Sequence, residues 1–294
     1  MIRIFLIASI FILTNASLYA QSAWLRPIGE TYLQFSTTGI FNYDSQFFDG
    51  NDEYTLDTEG TDLTFQLYGE YGLTEKTTLI ANIPLKYLDF KESENNIASL
   101  KSTNEAISDL SSVQFAKGGK LTGLSNMEFG FRHLILKKKL IVSGQFMVMA
   151  NSIQSDVDKG LRTGYDAMAL KPGVSIGYSQ DKYYSQAYLG FEYFNNDYSD
   201  RIKAYLEAGY KFKNRLWLIG YLDILASLKN GDYDTAPEVW AGLYLNDQEY
   251  IGIGIKVIYE VNDKLGVTFN PGGAISANHL PKSPAITFGV FSKF

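Results

Sequence analysis

The chain has 294 residues, a net charge of −6, a mean hydropathy of −0.10, two histidines and no cysteine. The lack of cysteine excludes disulfide scaffolds, thiolate zinc sites and cysteine nucleophiles, and the acidic balance argues against a nucleic-acid partner. The abundance of tyrosine (21), phenylalanine (19) and glycine (26) favours strands, and the low mean hydropathy excludes a bundle of transmembrane helices.

The first twenty residues have the three-part layout of a secretory signal peptide. Met1–Arg3 is a short basic start, Ile4–Leu13 is an almost continuous apolar run, and Ala20 is a small residue at the cleavage position. We therefore predict two parts, a cleaved signal peptide over 1–20 and an exported mature chain over 21–294. A retained helical anchor is the alternative, but its apolar run is shorter than the ~20 residues that a bilayer span requires.

The remaining chain alternates apolar and polar residues with a period of two. In residues 201–212, Ile202 and Leu206 share one face, while Lys203 and Glu207 share the other. No stretch reaches 18 consecutive apolar residues, so no transmembrane helix is predicted. One aliphatic and aromatic face, opposed by glycine and both charge signs, is typical of strands with lipid outside and a lumen inside. A soluble sandwich is the alternative, with denser charge on its polar faces.

Short polar turns alternate with longer loops rich in Asp, Asn, Gly and Ser, as in barrels with tight periplasmic turns and long external loops. We predict an all-β fold, a transmembrane antiparallel up-and-down β-barrel of about 12 strands. The strands are predicted near 31–41, 61–71, 78–90, 124–136, 140–151, 165–179, 183–194, 201–212, 215–228, 249–261, 265–276 and 284–294. Glu238–Leu245 also has strand character, and we interpret it as an extension of the ninth strand or as part of its loop, because a thirteenth crossing would break the even count. Fourteen strands is the alternative to twelve. The loop over 91–120 is predicted as either a short helix at the mouth or a mobile loop.

The C-terminal strand carries an apparent assembly signal. Phe288, Val290 and Phe294 share its outward face, and the chain ends on the aromatic residue Phe294. This resembles the terminal strand by which Gram-negative outer-membrane barrels are presented to their assembly machinery. We therefore predict the outer membrane as the compartment, with its lipid bilayer and the barrel assembly machinery as partners.

Several short motifs resemble a family of outer-membrane channels. They are Glu70–Thr74 (Glu-Tyr-Gly-Leu-Thr), Ile83-Pro84, Gly252-Ile253-Gly254 and Tyr259-Glu260. The family is the one first named from phenol-degradation meta-pathways, with more distant kinship to long-chain fatty-acid transporters. The resemblance implies passive uptake of small compounds, including hydrophobic or aromatic ones, and it implies no catalytic residue.

The alternation also predicts which charges face the lumen. Six acidic and five basic side chains have the inward phase, a near balance that argues against strong ion selectivity. They form either a polar path that orients a solute or a set of ion pairs that fills the barrel. These side chains are Glu70, Lys86, Glu128, Arg132, Glu192, Lys203, Glu207, Lys211, Asp223, Lys256 and Glu260.

Conduction depends on how the inward rings pack, because twelve strands lie between the filled eight-stranded barrels and the open porins. The inward rings, either a solute-stacking path or lumen filler, are Tyr68, Tyr188, Tyr205, Trp217 and Tyr221. Prolines 84, 172 and 271 fall within predicted strands, where they mark bulges, a lateral opening or rim positions.

Three functions are weighed on this basis. The preferred one is an outer-membrane channel, the second a structural or adhesion barrel with a filled lumen, and the third an outer-membrane lipid hydrolase. A hydrolase requires a histidine beside a serine nucleophile, and neither His133 nor His279 has such a partner in the sequence. We therefore predict no catalytic residue, no metal site and no cofactor.

Overall fold

The computed structural model describes residues 22–43, 46–50, 52–55, 60–91, 118–233 and 244–294. The predicted signal peptide, most of the loop over 91–120 and most of Glu238–Leu245 lie outside these residues. Within them, no helix is long and apolar enough to cross a membrane. The strands are β1 (Thr31–Tyr43), β2 (Gln46–Gly50), β3 (Asp52–Thr55), β4 (Gly60–Thr74), β5 (Thr77–Phe90), β6 (Gly119–Leu124), β7 (Glu128–Lys137), β8 (Ile141–Met149), β9 (Ser155–Asp156), β10 (Leu161–Arg162), β11 (Ala169–Gln180), β12 (Tyr183–Phe194), β13 (Arg201–Phe212), β14 (Leu216–Ser227), β15 (Glu249–Glu260), β16 (Leu265–Pro281) and β17 (Ala285–Lys293).

The strands form a closed antiparallel barrel. Successive wall strands pair with each other, β15 pairs with β16, and β1 pairs with both β4 and β17, which closes the cylinder. Strands β6 and β7 both pair with β5 and together occupy one position in the wall. The wall therefore has twelve positions, which confirms the predicted fold and strand number.

Alternate residues face opposite sides of the wall, as the period of two requires. In β13, Ile202 and Leu206 are exposed on the outer surface, whereas Lys203 and Glu207 are buried inside the barrel. The outer surface is apolar around the barrel; Ile253 on β15, for example, is 47% exposed. This is the arrangement of a wall that meets lipid on the outside.

The predicted continuous strand over 124–136 is wrong, since the wall is interrupted there. Strand β5 pairs with β7 as far as Asn82 and with β6 from Leu85 onward. The interruption lies opposite Pro84, which has no N–H to donate to a neighbouring strand. Its carbonyl oxygen instead accepts the N–H of Ser125 at 2.9 Å.

The other two prolines also lie within strands rather than at a rim. The pairing of β11 with β12 skips Pro172, and the pairing of β15 with β16 skips Pro271. In both cases the opposite edge of the same strand remains paired. Each proline therefore interrupts the hydrogen-bond ladder on one side only, which the missing N–H explains.

Two predicted strand ends are wrong. Strand β16 continues to Pro281, through residues predicted as a loop, because its outer end gains β2 as a pairing partner. Strand β11 begins at Ala169 rather than at 165, since Tyr165 is held through its N–H by the side chain of Asn126.

The two ends of the barrel differ. One end, here called the short-turn end, carries the turns at 75–76, 138–140, 181–182, 213–215 and 261–264. The start of β1 and the end of the chain also lie there, where the Phe294 N–H donates to the Thr31 carbonyl oxygen at 2.9 Å. The opposite end is here called the long-loop end.

Candidate functional site

The residues ahead of β1 enter the barrel and close it. Residues 22–27, here called the plug, run inside the short-turn end, and Ser22 and Ala23 are completely buried. The Ala23 N–H donates to the side-chain oxygen of Gln186 at 3.2 Å, and the Ser143 hydroxyl donates to the Ala23 carbonyl at 2.6 Å. The plug is thus bonded to two wall strands through its own backbone.

An arginine pair on one glutamate anchors the plug. Arg26 forms an ion pair with Glu70, and Arg132 donates to the same carboxylate at 3.2 Å and to the Trp24 carbonyl at 2.8 Å. The Tyr68 hydroxyl also donates to Glu70, at 2.7 Å. Burial opposes the charge on Arg26, but the adjacent Glu70 carboxylate outweighs it, so the pKa of Arg26 lies above its ordinary value. The anchor is therefore ionic.

Two glycines of the wall leave the space that the plug occupies. A side chain at Gly72 would overlap the backbone of Pro27, and one at Gly177 would place its Cβ 2.7 Å from that of Ala23. Gly72 also holds the chain in place, because its carbonyl accepts the Gly29 N–H at 2.8 Å. The wall is shaped to hold this segment.

Beside the plug lies a group of polar and apolar side chains that face the interior of the barrel. The carboxylate of Glu207 accepts hydrogen bonds from Lys256 at 2.6 Å, from the Tyr205 hydroxyl at 2.6 Å and from the Tyr184 hydroxyl at 2.7 Å. The Trp24 ring stands edge-on to Tyr184, with centroids 5.7 Å apart. Around this group lies an apolar cluster of buried side chains, namely Tyr32, Tyr68, Ile80, Met147, Trp217, Ile219, Ile258 and Phe291.

A second acid–base group lies at the same end as the plug anchor. Glu260 pairs with Lys211 at 2.6 Å and with Lys293 at 3.6 Å. The Lys211 ammonium also lies over the Trp217 ring, 5.3 Å from its centroid. One carboxylate here serves two lysines.

Further ion pairs line the long-loop half. Lys171 lies between Glu128 at 2.6 Å and Glu192 at 3.4 Å, and Arg201 contacts Glu192 at 2.9 Å. Each base in these contacts has a carboxylate partner. Two more pairs of this half are Lys203 with Asp223, at 2.5 Å, and Lys86 with Asp62.

A cavity of about 320 Å³ lies in this long-loop half of the lumen. The rings of Tyr221, Tyr244 and Tyr250 face it together with the carboxylates of Asp62 and Asp223. Backbone at glycines 252, 272 and 273 forms part of its wall, so strand atoms are accessible to a bound molecule.

Residues from three loops roof the long-loop end. Arg162 is buried and donates to the hydroxyls of Tyr198 at 2.9 Å and Tyr233 at 2.8 Å, whose rings stack 4.0 Å apart. Burial, and then the hydrogen bond with Tyr233, raises the pKa of Tyr198 far above its ordinary range, so the roof tyrosine is neutral.

The eleven charged side chains predicted to line the lumen lie on the interior side of the wall, and each forms an ion pair. Among the predicted rings, Tyr68, Tyr188, Tyr205 and Trp217 are buried, and Tyr221 faces the cavity. The prediction omitted Arg26, Asp62, Lys171, Arg201 and Lys293. With these included, the ion-paired side chains that face the interior, in the part of the chain that the structure describes, are nine basic and seven acidic.

Some of the omitted residues carried a usable signal. Asp62 and Lys293 have the inward phase of their predicted strands, so strict alternation would have included them. Arg26 precedes the first predicted strand, and nothing in the periodicity marks it. Phe288, Val290 and Phe294, predicted as an assembly signal, are exposed on the outer surface.

The two histidines have other partners than serine. A ring nitrogen of His133 is 3.0 Å from the Thr77 hydroxyl, and one of His279 is 2.9 Å from the Asn246 carbonyl oxygen. The described residues also contain no group of three or more His, Asp or Glu side chains that could hold a metal ion. Neither observation identifies a reactive centre.

The whole chain has known structural neighbours. The outer membrane channel from Pseudomonas putida F1 superposes with a TM-score of 0.66 and 12% identity over 95% of this chain and 100% of that chain. The translocator domain of the autotransporter NalP from Neisseria meningitidis gives 0.51 and 10%, over 92% and 90%. The fold is that of an outer-membrane β-barrel. No protein-family model matches the sequence, and no curated protein matches it.

Proposed function

We propose that this protein is an outer-membrane channel for small solutes that its own plug holds closed. One observation carries the proposal: the lumen is stoppered by a segment that is not part of the wall. A barrel of about eight strands is filled by the side chains of its own wall, whereas a wider barrel leaves room inside. Here the wall leaves room at Gly72 and Gly177 for residues 22–27.

The cavity beyond the plug supports passage of one small molecule at a time. Its volume of about 320 Å³ lies at the lower end of the range of ligand pockets. Tyrosine rings and glycine backbone supply flat apolar surface, and the tyrosine hydroxyls supply hydrogen bonds. We therefore include small hydrophobic or aromatic compounds among the solutes proposed.

The apolar outer surface and the barrel fold support placement in the outer membrane of a Gram-negative cell. In this placement the short-turn end faces the periplasm and the long-loop end faces outward. Export by a signal peptide cleaved after Ala20 remains a prediction, as does delivery to the barrel assembly machinery through Phe288, Val290 and Phe294.

A structural barrel is the second candidate, and one observation favours it. The apolar cluster that includes Trp217 and Ile219 is buried inside the barrel at the same short-turn end as the plug, and it is built from wall side chains. If this cluster is permanent, removal of the plug opens no path.

Deletion of residues 22–27 distinguishes these two candidates. We expect the purified deletion variant to open more often, or to a larger conductance, in planar bilayers than the full chain does. The reason is that the plug contacts with Glu70 and Arg132 are lost. Gly220→Ala is the control, since a Cβ at this position meets no atom within 4 Å. A deletion variant that still migrates as a folded barrel in unheated gel samples, yet gives no conductance, would establish the structural role instead.

A further inference from the structure

The short-turn end of the lumen contains an arc of charged side chains with more bases than acids. This basic arc consists of Arg132, Glu70, Arg26, Lys293, Glu260 and Lys211. In both halves of the arc two bases share one carboxylate: Arg26 and Arg132 share Glu70, and Lys211 and Lys293 share Glu260. Its six side chains therefore have a net charge of +2.

The two halves of the arc are adjacent. Tyr32 on β1 is the direct cross-strand neighbour of Lys293 on β17. The Arg26 guanidinium lies 4.5 Å from the centre of the Tyr32 ring, which stacks on Phe291 at 5.5 Å, and Lys293 lies 5.4 Å from the Phe291 ring. Positive charge is thus continuous across the seam that closes the barrel.

Exposed acidic groups lie at the rim of this end, outside the buried arc. The terminal carboxylate of Phe294 and the side chain of Glu30 flank Thr31 there, and together they equal the two excess charges of the arc. Residues 1–21, which adjoin the plug in the sequence, contain no Asp or Glu. The short turns at this end add seven Lys or Arg and three Asp or Glu, all exposed, so the surrounding field has the same sign.

Positive charge removed from water is costly unless an anion accompanies it. Among the described residues, the carboxylate nearest to the Lys293 ammonium is that of Glu260, at 3.6 Å, and the other oxygen of this carboxylate binds Lys211 at 2.6 Å. We infer that the basic arc binds small anions and makes the channel anion-selective, with small organic carboxylates as the solute class. The selectivity part of this inference rests on the proposed channel function. Anion binding at the arc does not depend on that function.

Trp217 provides a readout that does not depend on conduction, because Lys211 of the arc lies over its ring. In a Trp24→Phe, Trp240→Phe background it is the sole tryptophan. We expect iodide to quench its fluorescence severalfold more than caesium in the purified full-length barrel, with neutral acrylamide as the measure of general access.

Lys293→Gln tests the charge itself. Glu260 stays paired with Lys211 in this variant, so the change removes positive charge without leaving an unpaired carboxylate. We expect it to reduce quenching by iodide and to leave quenching by acrylamide unchanged. Lys264→Gln, in an exposed turn at the same end, is the matched control and should change neither. Lys293→Arg should retain the iodide effect, which separates charge from folding. Equal quenching by iodide and caesium, or an iodide effect insensitive to Lys293→Gln, would overturn the inference.

Reversal potentials in a potassium chloride gradient then test selectivity. We expect the open channel to favour chloride over potassium and Lys293→Gln to shift the reversal potential toward potassium. A conducting channel that prefers potassium would overturn the selectivity and leave the channel function standing. A silent plug-deleted barrel that still shows selective iodide quenching would overturn the channel function and leave the anion site standing.

Discussion

Glu70 decides how firmly the plug is held. This fully enclosed carboxylate receives two arginines and a tyrosine hydroxyl, and one of those arginines belongs to the plug. Loss of one partner of a buried ion pair costs about 3–5 kcal/mol, since the other charge stays buried alone. The strength of the closure is therefore concentrated in one side chain.

Glu70→Gln should loosen the plug because it removes the negative charge that both arginines contact. The chain has no cysteine, so Ser22→Cys introduces a single thiol as a reporter. We expect its labelling by a membrane-impermeant maleimide to accelerate by at least about tenfold, which corresponds to about 1.4 kcal/mol. Glu75→Gln, in an exposed turn, is the control. Unchanged protection of the thiol would show that the ionic anchor is dispensable.

Gly72→Ala should displace the plug by steric overlap alone. The added Cβ would overlap the backbone of Pro27, which cannot move without moving Arg26. We expect faster labelling of the Ser22→Cys reporter in Gly72→Ala and none of this change in Gly220→Ala, where the same methyl group meets open space. Equal labelling in the two alanine variants would contradict the fit between plug and wall.

The strands were largely predictable, whereas their irregularities were not. Alternation and turn residues fixed twelve wall positions because each strand must turn one face outward and the other inward. The split at Pro84 and the extension of β16 depend on which strand lies alongside, and a period of two does not encode this. Local sequence therefore reports the faces of a strand better than its ends.

Strand β15 provides a test of the two faces. Ile253 is 47% exposed on the outer wall, while its neighbour Gly252 borders the cavity. Ile253→Arg should lower the free energy of unfolding in lipid by about 2–4 kcal/mol if it lies near the bilayer midplane. Gly252→Arg should cost less, because its charge enters the cavity, where the carboxylate of Asp223 is one of the lining groups, rather than lipid. Equal losses in denaturant titrations would show that the inside and outside assignments are wrong.

For the molecule as a whole, the sequence predicted the barrel wall better than the arrangement of groups inside the lumen. Barrel closure follows from a repeated pattern, but the plug is a short segment without periodicity, held by contacts such as Ala23 with Gln186, 163 positions apart. Of the charges that the prediction omitted, only Arg26 lies in that segment; the other four lie in strands, where alternation applies. The alternation of apolar and polar residues therefore does not predict candidate sites that are built from irregular backbone.

Assembly of the barrel should depend on the last residue. The Phe294 ring is 66% exposed on the outer surface, and its backbone bonds with Thr31 across the seam. We expect deletion of Phe294 to reduce the yield of folded barrel in outer-membrane fractions. Phe294→Ala keeps the backbone bonds and should reduce the yield too if the ring is the assembly signal. Normal yield from Phe294→Ala with a defect in the deletion would assign the role to seam closure.

The short connection between plug and wall has a consequence for reclosure. Only Ile28, Gly29 and Glu30 join Pro27 to β1, and three extended residues reach about 10 Å. A plug tethered by so short a linker does not diffuse away after release. Its effective concentration at its binding site in the wall stays in the millimolar range. Resealing then follows first-order kinetics, independent of how many copies the cell makes and without help from any second molecule.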